Sequence, residues 1–151
     1  GNICRSPMAE AVCRKKVKER NLEEAFSIDS AGVSGHTEGW DPDPRTQAIA
    51  DKYALDVSEM QARPVRKENM ETFDYVLVMD TENYEDVAQL IGQDHPNNLY
   101  LLRFFDSERD EAYPNIPDPY FDEQEGFEYT YRMIERSVEG FLNHVVEVHN
   151  I

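Results

Sequence analysis

Gly1-Asn2-Ile3-Cys4-Arg5-Ser6-Pro7 opens the chain and decides how the rest of it is laid out. Ser6 can cap a helix, and Pro7 suits a first helical position, where its missing N–H is not needed. Met8, Val12 and Val17 then share an apolar face, so a helix is predicted over residues 6–20. A glycine-containing loop that enters a helix presents successive backbone N–H groups and the positive end of the helix dipole. Arg5 adds a planar fork matched to phosphate oxygens. Gly1, Asn2, Ile3, Cys4, Arg5 and Ser6 therefore read as an oxyanion cradle. On this motif alone, an ordinary loop before a helix reads equally well.

Beyond this heptad the chain alternates strand and helix patterns. Phe26 to Ala31 reads as a short strand ending in Ser30-Ala31-Gly32, and residues 36–44 are turn-rich. A helix is expected from Arg45 to about Tyr53, with Asp43 as its cap and Pro44 just inside. Tyr75-Val76-Leu77-Val78-Met79 is a continuous apolar run, the mark of a strand covered on both faces. Asp80 ends it and can cap a helix over 81–91, and Leu99 to Phe105 reads as a further strand. Residues 106–124 form an acidic loop rich in proline and tyrosine. From Gly126 onward, Phe127, Tyr131, Ile134, Val138, Phe141, Leu142 and Val145 recur at helical spacing. The class is α/β, an open parallel sheet with flanking helices. In such sheets ligands bind beyond the carboxyl ends of strands, in loops like residues 1–6. No strand stands in front of that loop, so the first central strand is expected to be absent from this chain.

At 151 residues the chain fits one domain, residues 1–151, with a substantial core. Its formal charge of −16 argues against a nucleic-acid partner, which would need a positive stripe. Any phosphate site must therefore be made locally, by backbone amides and one or two arginines. No apolar run approaches the roughly 18 residues that cross a bilayer, and no signal-peptide pattern opens the chain, so no membrane partner and a cytoplasmic address are expected. Cys4 and Cys13 are the only cysteines and read as reduced thiols. The four histidines show no metal-ligand spacing, and neither a metal nor a cofactor is expected.

Asp118-Pro119-Tyr120 is the second constellation. A carboxyl group on a proline-stiffened loop can protonate a leaving oxygen. Asp-Pro pairs are also ordinary turn punctuation, as Asp41-Pro42 and Asp43-Pro44 are read to be.

Taken together, Gly-Asn-Ile-Cys-Arg-Ser-Pro-Met-Ala-Glu and the distant Asp-Pro-Tyr-Phe closely resemble the low-molecular-weight protein tyrosine phosphatases. Asp29-Ser30-Ala31-Gly32, Asp43-Pro44-Arg45, Ala62-Arg63-Pro64, Phe73-Asp74-Tyr75-Val76 and Met79-Asp80 fall where that family has similar segments, so the likeness spans nearly the whole chain. The resemblance implies a phosphotyrosine phosphatase I-like fold and hydrolysis of phosphotyrosine monoesters through a phosphocysteine. Substrates would be phosphotyrosine-containing proteins or small aryl phosphates, and the protein a monomer. In the family signature Cys-x5-Arg-Ser, Arg5 matches the phosphate clamp and Ser6 the serine that stabilises the thiolate. Asn2 and Ser30 match residues that hold the loop in shape, and Asp118 matches the general acid. His36, Trp40, Tyr120 and Phe121 would wall the cleft. Met60 stands where animal members often carry histidine.

The signature also places the nucleophilic cysteine two positions before Gly1, outside this sequence. Cys4 adjoins Arg5 instead of lying six positions upstream of it, and resembles the family's second cysteine, a redox partner; Cys13 reads as a packing residue. The expectation is a phosphatase truncated at its N-terminus and inactive as given. A phosphate- or phosphotyrosine-binding pseudoenzyme is the alternative. An arsenate reductase on the same fold is a weaker one, since such enzymes relay through further cysteines and none follows Cys13.

Overall fold

The computed structural model describes residues 1–151 and orders them as α1 (Arg5–Glu19), α2 (Pro44–Lys52), α3 (Lys67–Thr72), β1 (Val76–Val78), α4 (Thr81–Ile91), β2 (Leu99–Leu101) and α5 (Gln124–His149). Short 3-10 turns cover Glu23–Ala25 and Leu102–Phe105. β1 and β2 pair in parallel, Val76 opposite Leu99 and Val78 opposite Leu101, with α4 as the crossover. The architecture is α/β: a small parallel sheet flanked by helices.

Two helices begin where the sequence signals them. Asp43 caps α2, its carboxylate accepting from the Arg45 amide at 2.9 Å, with Pro44 at the first helical position. Asp80 caps α4 through the Asn83 amide at 2.7 Å, and Gly92 closes that helix in the left-handed conformation. The apolar stripe of α5 faces α1, and Phe127, Ile134 and Leu142 are fully buried there beside Met8 and Val12. Each such side chain stabilises the fold by roughly 1.5–3 kcal/mol relative to exposure. Gly140 is needed on α5 because a Cβ there would lie 1.9 Å from the Phe105 carbonyl oxygen.

Three expectations need correction, and one helix has no expectation to match. The first helix begins at Arg5 with Cys4 at the capping position, so Ser6 is not its cap and Pro7 is the third helical residue. Pro7 is still tolerated there, because first-turn amides have no intrahelical acceptor. Residues 26–31 join no strand ladder; their neighbourhood carries one bridge, Gly32 to Pro64. Extended propensity makes a strand only where a neighbour pairs with it. The Leu99–Phe105 run is strand only to Leu101, then tightens into the 3-10 turn that α5 packs against. α3, a helix of 6 residues, is too short to announce itself by periodicity.

A cavity of about 920 Å³ extends from residues 1–6 past Ala9, Cys13, Phe26 and Ile28 to Val76 and Leu77. Its mouth is the candidate site.

Candidate active site

The Gly1–Ser6 loop sits at the N-terminus of α1 and is held from within. Asn2 is buried with φ of 62°, a left-handed conformation that asparagine tolerates better than most residues. Its side-chain amide donates to Ser6 Oγ at 2.7 Å and to Ser30 Oγ at 3.1 Å, while its carbonyl oxygen accepts from the Arg63 amide at 3.2 Å. Ser30 in turn donates to Glu10 at 2.6 Å. The chain Ser6–Asn2–Ser30–Glu10 thus fixes a strained turn. Gly32 lets the next segment approach: a Cβ there would lie 2.8 Å from the Gly1 carbonyl carbon and 2.9 Å from the Asn2 nitrogen. The Thr37 hydroxyl closes the other side by donating to the Gly1 carbonyl. Within the loop, Ile3 and Cys4 are also buried.

Arg5 reaches out of the first turn of α1 towards the loop that carries Asp118. Its Nη1 donates to Asp80 Oδ2 at 2.8 Å and to the Ile116 carbonyl at 2.7 Å. Its Nη2 lies 4.0 Å from Asp118 Oδ2. Asp118 is 57% exposed, and its other carboxylate oxygen accepts from the Tyr120 amide at 3.1 Å. Guanidinium and carboxyl therefore meet at ion-pair range, close enough for both to reach one phosphate ester bound beside them. His36, Trp40, Tyr120 and Phe121 line the same cavity mouth. Trp40 stands edge-on to His36, and Tyr120 edge-on to Phe121. Phe121 is almost wholly solvated, so it rims the opening and does not wall its interior.

The two cysteines have the opposite character from a nucleophile. Burial pushes the Cys4 thiol up to about 12, with the Asp43 and Asp118 carboxylates adding to it. Cys13 packs against the α1–α5 core, and burial raises it to about 11. Both are thiols, not thiolates, near neutral pH. Met60 packs on a small cluster of Ala11, Ala50 and Val57.

Several residues of the site have no distinctive signal when the chain is read alone. Glu10 sits one helical turn after Ser6, a spacing that puts both on the loop side of α1. Asp80 reads as a helix cap, yet its second oxygen holds Arg5. Asp43, read as turn punctuation and a cap, is a buried carboxylate whose fork to Arg45 holds it below the usual carboxylate range.

Comparison with known proteins places the chain in a family. The family model for low molecular weight phosphotyrosine protein phosphatase matches residues 1–150. The human protein of that name is 38% identical over 144 residues, covering 94% of this chain and 89% of its own length. The crystal structure of YfkJ from Bacillus subtilis superposes with a TM-score of 0.90 at 33% identity, covering 97% of this chain and 90% of that one. DARP, a Drosophila arginine phosphatase, superposes with a TM-score of 0.85 at 33% identity, covering 95% of this chain and 92% of that one. With the loop, the guanidinium and the facing carboxyl in place, the chain belongs to the low molecular weight phosphotyrosine protein phosphatase family.

Proposed function

We propose that the complete protein is a cytoplasmic, monomeric, cysteine-dependent tyrosine phosphatase, and that residues 1–151 supply its phosphate cradle, clamp and proton donor. A phosphotyrosyl dianion would sit on the amides of residues 2–6 against Arg5, its ring between Trp40 and Tyr120. A thiolate attacks phosphorus, the P–O bond to the ring breaks, and the protonated Asp118 carboxyl gives its proton to the leaving phenolate oxygen. The Asp118 carboxylate then takes a proton from water, which attacks phosphorus, breaks the S–P bond and releases phosphate. Loop amides and Arg5 stabilise the charge on the equatorial oxygens in both steps.

The observation that carries this reading is the 4.0 Å approach of Arg5 to Asp118 at a mouth lined by Trp40 and Tyr120. Neither Cys4 nor Cys13 serves as the thiolate. The signature places that cysteine six positions before Arg5, so residues 1–151 by themselves should bind aryl phosphates without turning them over. The absence of cysteines beyond Cys13 speaks against an arsenate-reductase relay.

The test is to restore an apolar strand ending in Cys-x ahead of Gly1 and assay phenyl phosphate, whose poor leaving group needs a proton donor. Turnover is expected, falling by roughly 10²–10⁴-fold in Asp118→Asn with phosphate binding retained. Unchanged turnover in that variant would remove Asp118 from its role. Binding without any turnover would favour the pseudoenzyme.

A further inference from the structure

Arg45 lies outside both the phosphate loop and the acid loop, yet it joins them. Its Nε and Nη2 form a fork on the two oxygens of Asp43, each at 2.9 Å. Nη2 also donates to the Tyr120 carbonyl at 2.8 Å, and Nη1 to the Asp122 carbonyl at 2.7 Å. The face of the guanidinium rests 4.3 Å from the centre of the buried Phe127 ring. On the other side, the Asp43 amide donates to the Ile3 carbonyl of the phosphate loop at 2.8 Å. An unbroken path thus runs from Ile3 through Asp43 and Arg45 to two carbonyls just beyond Asp118.

We propose that Arg45 is a positioning residue: backed by Asp43, it ties the acid loop to the phosphate loop and sets the reach of Asp118 to the leaving oxygen. The catalytic meaning of this rests on the phosphatase reading; the tie itself does not. Four of the five guanidinium donors are already engaged, so Arg45 is not a second phosphate clamp. Asp118 needs such a tie because its own carboxylate is largely solvated, hydrogen-bonds only within its turn and meets Arg5 only at 4.0 Å. A lysine could hold one carbonyl but not the planar fork and both carbonyls together.

The experiment uses Arg45→Lys and Asp43→Asn, with two readouts. In residues 1–151, backbone amides of 118–123 should exchange with deuterium about tenfold faster in Arg45→Lys, while those of 2–6 keep their rates. In the strand-restored protein, kcat/KM for phenyl phosphate, whose leaving group depends on the acid, should fall about tenfold. That for p-nitrophenyl phosphate should change by about twofold or less. Asp43→Asn should show the same pattern more weakly, because the guanidinium keeps its carbonyls but loses its charged backing. Unchanged exchange at 118–123 would overturn the proposal, as would an equal loss on both esters, which a general structural role predicts. If the restored protein with Arg45 intact hydrolyses neither ester, the phosphatase reading fails and the exchange rates still decide the tie.

Discussion

The phosphate loop and the acid loop are held by opposite means. Residues 1–6 are shaped from inside by short neutral side chains, Asn2, Ser6, Ser30 and Thr37, and the loop is largely buried. Residues 113–122 are more exposed and hang by their carbonyls from three arginines. Arg103 holds those of Tyr113 and Asn115, Arg5 holds that of Ile116, and Arg45 holds those of Tyr120 and Asp122. Each guanidinium is backed by a carboxylate: Asp106, Asp80 and Asp43 respectively. On the proposed reading, the difference follows from what each loop would do. A cradle for a dianion has to keep its amides free and its curvature fixed, which neutral bonds achieve at the loop itself; the one carboxylate in its support, Glu10, stands behind Ser30 and is paired with Arg14. A loop that brings a carboxyl to the leaving oxygen needs a set distance from the cradle, and long cationic side chains can span it. In a chain of charge −16, this also directs scarce positive charge to one place.

The contrast can be broken at either side. The largest effect is expected from Arg5→Ala, which removes the side chain that reaches from the phosphate loop to the acid loop. Affinity for orthovanadate, read by titration calorimetry, should fall by more than about a hundredfold. Retained tight binding would put the cradle elsewhere. Next comes Asp106→Asn. Asp106 is fully buried between Arg136, at 3.0 Å, and Arg103, at 3.6 Å, so losing its charge leaves cations short of a partner at a cost of about 3 kcal/mol. Chemical denaturation measures that loss, and faster exchange at residues 113–116 would show that the acid loop loosens with it. Ser30→Ala should be milder, about 1 kcal/mol, and should weaken vanadate binding without altering exchange at 118–122. The smallest effect concerns Cys4. With its folded value raised above an ordinary 9.0 to about 12, its contribution to stability is complete below pH 9 and is lost as pH rises towards 12. Native Cys4 should therefore resist iodoacetamide at pH 8 and react only after unfolding, whereas prompt native labelling would contradict its burial.

How far the sequence discloses these two loops differs in the same way. The cradle is legible because its parts are contiguous: glycine, arginine, serine and proline within seven residues, leading into a periodic helix. Caps at Asp43 and Asp80 are legible because capping is local chemistry. Asp118 is visible as Asp-Pro, but its supports are not. Arg45, Arg103 and Asp106 are ordinary charged residues in sequence, and only the fold carries them to the carbonyls they hold. Residues 26–31 mislead for a related reason, since strand propensity says nothing about whether a pairing partner exists. The end of β2 at Leu101 follows from packing of the 3-10 turn against α5, where Phe105 meets Gly140, a contact far apart in sequence.

Whether Arg5 and Asp118 share one phosphate site is decided by titrating nitrogen-15-labelled protein, residues 1–151, with orthovanadate while following amide and arginine side-chain NMR shifts. Saturable changes should appear at the amides of residues 2–6, at the Arg5 guanidinium and on the loop around Asp118, and should vanish in Arg5→Ala. Shifts that map to another surface, or that persist in that variant, would show that the two groups serve different places on the molecule.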